Sequence, residues 1–159
     1  MSERRELAEF FLNMLSPKSR TIMAFSMSGH TAISLLNAKD NMMKNLALFW
    51  PGLYHDAAES LKFNQGFSDV IRAEKSYLKA SKIFHLLRQF RGNLFLVKGE
   101  LDEIIPDEVI NKILLEAEHA RKKLSIPKNS VHQMAKWLTK NPDVASGLME
   151  EINSFINLD

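Results

Sequence analysis

The chain has 159 residues, 45% of them hydrophobic and 25% charged, with 21 Lys and Arg against 19 Asp and Glu. That balance is globular and sizes the chain for a single domain over residues 1–159 rather than two large ones. The net charge of +2 comes with no basic cluster beyond Arg121-Lys122-Lys123, so nucleic acid is not expected as a partner. The absence of cysteine excludes disulfides, thiolate metal sites and Cys nucleophiles together, leaving Ser, Thr, Lys and carboxylates as candidate nucleophiles.

Residues 4–15 place Leu7, Phe10, Phe11, Met14 and Leu15 at helical spacing and end at Ser16-Pro17, which predicts an amphipathic helix. Glu6 and Glu9 interrupt its apolar run, so it is not a signal-peptide core. No stretch approaches the roughly 18 apolar residues of a spanning helix, and a cytoplasmic location is expected. Thr21–Phe25 reads as a strand, Ser26-Met27-Ser28 as a sharp turn and Gly29–Leu36 as a helix. Leu46–Trp50 is a second buried strand, stopped by Pro51-Gly52. From Tyr54 to Phe90 the pattern predicts two helices, around Asp56–Phe63 and Phe67–Arg91, with a break at Asn64-Gln65-Gly66. Leu94–Val97 is a third strand closing at Gly99. Pro106-Asp107-Glu108 opens a helix expected to run to about Lys122. A short fourth strand at Leu124–Ile126 and helices at His132–Lys140 and Pro142–Asn157 finish the chain. Strands alternating with helices imply an α/β layered fold with a parallel sheet of about four strands.

In such a sheet functional groups gather at the carboxyl ends of the strands. Ser26 follows the first strand, Glu100 and Asp102 the third, and His132 the fourth. A hydroxyl, a carboxylate and an imidazole in the order Ser, Asp, His are the parts of a nucleophilic triad. Each has a structural alternative. Ser26 could cap a helix, Asp102 could belong to a solvated acidic loop from Glu100 to Glu103, and His132 could pack at a helix start. Glu100 is the weaker acid candidate. His30, His55, His85 and His119 are read as structural or exposed, away from these loops, and Lys128, Asn129 and Ser130 as loop residues only.

These motifs resemble the carboxyl-terminal part of the α/β-hydrolase family. Ala24-Phe25-Ser26-Met27-Ser28-Gly29 is similar to the family's nucleophile elbow. Leu96 to Pro106, with Gly99-Glu100-Leu101-Asp102, resembles its acid loop. Ser130-Val131-His132, followed by Trp137-Leu138 and Asn141-Pro142-Asp143-Val144, resembles its His loop and last helix. The likeness implies Ser26 as nucleophile, His132 as base, Asp102 as the acid that orients it, and the Met27 backbone N–H as an oxyanion donor. The elbow reads Ala-x-Ser-x-Ser where the family has Gly-x-Ser-x-Gly, so Ser28 is expected to bring a side chain to a crowded place, partly relieved by Gly29.

The resemblance runs from Arg20 onward, and the chain starts at the helix just before the nucleophile strand, which implies a fold lacking its first strands. A shortened form, or a sheet completed by a second copy or another chain, is therefore expected, with the first strand as an apolar edge. Residues 54–90 fall where the family places a helical cap. The implied function is a serine hydrolase acting on a small carboxylic ester or thioester through an acyl-serine intermediate, without metal or organic cofactor. Trp50, Leu53, Tyr54, Phe63, Phe67, Tyr77, Leu78 and Phe84 would suit an apolar acyl group. The alternatives are an acyltransferase with the same triad and a non-catalytic interaction module.

Overall fold

Four short segments pair in parallel, in the order in which they occur: Arg20–Phe25 (β1), Met43–Phe49 (β2), Asn93–Val97 (β3) and Arg121–Ser125 (β4). This computed structural model describes residues 2–14, 20–37 and 43–157. The register aligns Phe25 with Phe49, Phe49 with Val97 and Val97 with Ser125. The strands therefore end in one row, and the loops after them leave from a common edge.

Helices α1 (Ser2–Met14), α2 (Ser28–Ser34), α3 (Gln65–Arg72), α4 (Ser81–Gln89), α5 (Asp107–Glu116), α6 (Met134–Lys140) and α7 (Pro142–Ile156) surround the sheet. Two groups form: α2, α4 and α5 touch in succession, while α7 packs on β3 beside α6. Phe95 meets Phe155 of α7 edge to face at 5.7 Å. Side chains alternate along a strand, so Leu94 and Leu96 point to the other face, and all of Leu94–Val97 is inaccessible. That two-sided burial is why β2 and β3 read as continuous apolar runs.

β4 departs from the expected span. The helix before it stops at Glu116, and Arg121 and Lys122, expected as the helix end, open the strand. β4 is an edge strand, and its polar residues are used laterally. Arg121 Nε donates to Asn93 Oδ1 at 2.8 Å, its guanidinium lies 4.5 Å over the Phe155 ring, and Lys123 pairs with Glu151 at 3.0 Å. The helix expected over Phe67–Arg91 is likewise two helices, α3 and α4, separated by a turn at Lys75 with φ 53°. Asn64 Oδ1 accepts the Phe67 N–H and starts α3, and Asp56 accepts the Lys82 N–H at the start of α4. That second contact ties a short 3₁₀ segment, Asp56–Ser60, to the α4 end.

Leu96 lies at the centre of this core with no exposed surface. Leu96→Ala should lower the unfolding free energy by about 3 kcal/mol, the usual cost of a buried Leu truncation, read as a fall in the urea midpoint at constant slope.

Candidate active site

β1 ends at Phe25 and α2 begins at Ser28, so the chain reverses over two residues. Ser26 takes φ 48°, a left-handed conformation that costs a residue with a Cβ on the order of 1 kcal/mol. Its backbone is held from both ends: the N–H donates to Phe49 C=O at 2.9 Å, and the C=O accepts from Gly29 N–H at 3.0 Å and Gly52 N–H at 2.9 Å. The position that must be glycine is Gly29, where a Cβ would meet Pro51 Cβ at 2.7 Å and its Cα at 3.0 Å. Ser28, expected in a crowded place, is exposed instead. Its Oγ donates to Phe25 C=O at 2.7 Å and accepts the Phe25 N–H at 2.8 Å. Ser26 donates toward β2, so alternate residues of β1, Phe25 among them, face the open side of the sheet. No described strand pairs there, which leaves Ser28 room.

The loops after β3 and β4 are fastened to each other. A Cβ on Gly99 would strike Trp50 Nε1 at 2.2 Å and Ser130 C=O at 2.9 Å, so glycine is required where they cross. Ser130 is fully buried; its C=O accepts the Leu101 N–H at 2.9 Å and its Oγ accepts the Glu100 N–H at 3.2 Å. Glu100 turns to the other loop, its carboxylate accepting the Asn129 N–H at 2.7 Å. Ser130 is therefore more than a loop residue, although nothing in its sequence context marks it.

Asp102 is not solvated: its side chain is 1% exposed, and Oδ1 accepts N–H groups from Ile104 at 2.8 Å and Ile105 at 3.1 Å. His132 Nδ1 lies 3.0 Å from Asp102 Oδ2 and 3.2 Å from Oδ1, and His132 Nε2 lies 3.0 Å from Ser26 Oγ. An ionised carboxylate only accepts, so Nδ1 carries the proton and Nε2 is left to accept from the hydroxyl. The fold thus brings Ser26, Asp102 and His132 into one hydrogen-bonded chain. The Met27 N–H donates to no group among the described residues.

One histidine read as remote from the motifs is not remote. His30 is one helical turn beyond Ser26 and 1% exposed, and its Nδ1 accepts the Tyr54 N–H at 3.3 Å. Its Nε2 lies 3.8 Å from Glu59 Oε1, and Glu59 also pairs with Lys82 at 3.0 Å. The His30 imidazole first, and Lys82 after it, hold the Glu59 carboxyl down to about 2 against the opposing effect of burial. The nearness of His30 to Ser26 in the chain, in the first turn of the helix that follows it, was the available signal. His85 meets Gln89, and His119 lies beside Glu118. Among the described residues no group of three or more His, Asp or Glu converges as a metal site.

Two cavities share Ser26. The larger, about 490 Å³, is walled by Met27, Leu53, Tyr54, the Ile71–Tyr77 segment, Ile104–Pro106 and Val109. The smaller, about 380 Å³, is lined by Phe25, Phe49, Trp50, His132 and Met134. Of the aromatic and aliphatic residues expected around an acyl group, Leu53, Tyr54 and Tyr77 line the larger cavity and Trp50 the smaller. Phe67 and Phe84 are core, and Phe63 and Leu78 are exposed.

No protein-family model and no curated protein matches the sequence. Solved structures do match. The thioesterase domain from the curacin biosynthetic pathway superposes with a TM-score of 0.59 at 13% identity, covering 93% of this chain and 70% of that one. A hydrolase from Pseudomonas aeruginosa PA01 gives 0.60 at 12% identity over 93% and 69%. A serine hydrolase involved in carbazole degradation gives 0.61 at 14% over 97% and 71%. The fold is that of the α/β-hydrolases. In this sheet β1 has one open edge among the described residues. No described helix is long and apolar enough to cross a membrane.

Gly29→Ala presses a methyl group onto the Pro51 backbone and should cost about 1–3 kcal/mol of stability, measured by urea denaturation.

Proposed function

We propose that the chain is a serine hydrolase that cleaves a small carboxylic ester or thioester through an acyl-Ser26 intermediate. The observation that carries this reading is the hydrogen-bonded chain Ser26–His132–Asp102, with both links at 3.0 Å, at the loop edge of an α/β-hydrolase sheet. His132 Nε2 takes the hydroxyl proton as Ser26 Oγ attacks the carbonyl carbon. The carbonyl oxygen becomes an oxyanion, for which the unengaged Met27 N–H is the donor. His132 then gives its proton to the departing alcohol or thiol. Water, deprotonated by the same nitrogen, attacks the acyl carbon and returns Ser26. Asp102, itself fixed by the Ile104 and Ile105 N–H groups, keeps the ring in one tautomer and stabilises the imidazolium. No step calls for a metal or organic cofactor. The 54–90 segment acts as the cap, since Ile71–Tyr77 walls the larger cavity. An acceptor other than water would make the same first half-reaction an acyl transfer.

One observation favours a second reading. β1 exposes Met23 and Phe25 along its open side, and α1 exposes Leu7, Phe10, Phe11 and Met14, whereas the opposite edge, β4, is charged. Under this reading the chain is an interaction module whose apolar side meets a second copy or another chain.

A fluorophosphonate probe should label the purified chain. Ser26→Ala and His132→Ala should abolish labelling, and Asp102→Asn should slow it by about a thousandfold or more. A folded chain that takes no label overturns the hydrolase reading, and size-exclusion chromatography with light scattering then tests the module by its mass. Esters of p-nitrophenol should be cleaved faster as the acyl chain lengthens from acetyl to hexanoyl, because the larger cavity is walled by Leu53, Ile105 and Val109. A flat or falling series removes the apolar-acyl assignment.

A further inference from the structure

Tyr54 lines the same cavity as Ser26 and Met27, yet the proposed reaction gives its hydroxyl no task. The residue is held firmly. Its ring stacks on His30 with centroids 5.6 Å apart and meets Phe67 edge-on at 6.4 Å, and its N–H is bonded to His30 Nδ1. His30 in turn faces Glu59. The hydroxyl lies against Gly52, where a Cβ would come within 2.4 Å of it. Glycine at 52 therefore keeps space open for the phenol oxygen. Gly52 also donates its N–H to the Ser26 carbonyl, so the hydroxyl sits beside the backbone of the nucleophile turn.

Among the described residues this hydroxyl has no hydrogen-bond partner. Its oxygen is not one of the fully buried atoms left unpartnered, so although the residue as a whole is 9% exposed the hydroxyl keeps accessible surface from which to donate. Burial pushes the Tyr54 phenol up to about 12, against a smaller opposing effect of the Arg4 charge, so it stays a neutral donor at any working pH. The neighbouring walls, Met27, Leu53, Ile105 and Val109, offer apolar surface. Ser76 is engaged by the His55 N–H, and Arg72, Glu74 and Lys75 are exposed to solvent.

We propose that Tyr54 is a specificity-determining residue whose hydroxyl donates to an oxygen on the acyl group, so that the favoured substrates are hydroxyacyl or ketoacyl esters. The contact with Gly52, whose N–H bonds the Ser26 main-chain carbonyl, puts the hydroxyl beside the nucleophile turn. The inference rests on the reading that Ser26 is acylated. A site built to hydrogen-bond a substrate oxygen discriminates against the analogue lacking it, because the donor is then left unpaired. His30 acts through Tyr54 and is a positioning residue.

Binding in a chain that cannot react tests this directly. In Ser26→Ala, methyl 3-hydroxybutyrate should bind about tenfold more tightly than methyl butyrate by NMR titration. In Ser26→Ala with Tyr54→Phe the two should bind alike, at the affinity of the butyrate. Equal affinities with Tyr54 present, a preference that survives Tyr54→Phe, or no binding of either ester overturns the assignment. Fluorophosphonate labelling of the unaltered chain reports separately on Ser26. Labelling without the ester preference removes the role of Tyr54 alone, and the preference without labelling removes the acyl-enzyme reading alone.

Discussion

The backbone of Ser26 is pinned by Phe49, Gly29 and Gly52, and the arrangement of the other loops depends on that anchorage. Left-handed φ at a residue with a side chain persists only when its surroundings over-determine it. Here the strand ladder supplies one bond and the turn after β2 another. Both backbones must come close for this, which is why Gly29 and Gly52 lack the side chains that Pro51 and Tyr54 would otherwise meet. Because Phe25, Phe49, Val97 and Ser125 share one row, fixing the first turn fixes where the third and fourth loops must arrive. The conformational cost is local, while its benefit is a hydroxyl projected clear of the sheet.

A second set of contacts aligns the partners of that hydroxyl. Trp50, Gly99 and Ser130 pack where three loops cross, and Ser130 bonds the loop of Asp102 to the loop of His132. Asp102 is oriented by backbone N–H groups before His132 meets it. In the proposed reaction such groups do not reorganise as charge develops, which is where preorganised sites gain most of their rate. The His30–Glu59–Lys82 cluster plays a parallel part, holding the segment that carries Tyr54.

Much of this was legible in the sequence, for physical reasons that differ by element. β2 and β3 are buried on both faces, so they announce themselves as Leu46–Phe49 and Leu94–Val97. β4 has a free edge and uses Arg121 and Lys123 against Phe155 and Glu151, a pattern with the polarity of a helix end. The interruption at Lys75 carries neither glycine nor proline, so a left-handed residue there left no mark. Ser26, Asp102 and His132 could be singled out because each follows a strand in a parallel sheet. Ser130 and His30 could not be placed in the same way. Their importance comes from bonds to backbone groups far along the chain, Glu100 N–H and Tyr54 N–H, and residue type alone does not encode such bonds.

The hydroxyl of Ser28 has an effect that reaches beyond the turn it closes. Of the β1 residues that face outward, Phe25 has both backbone groups already engaged by Ser28, leaving Thr21 and Met23 to offer ladder bonds. A stretch of that length is well short of the roughly five to six residues of an ordinary strand. Any partner reaching this side would meet aromatic and aliphatic surface with little backbone to pair with, and could extend the sheet toward Ser26 only by displacing the serine. Ser28 thus acts as a terminator, making side-chain contact rather than strand addition the cheaper way to cover that flank.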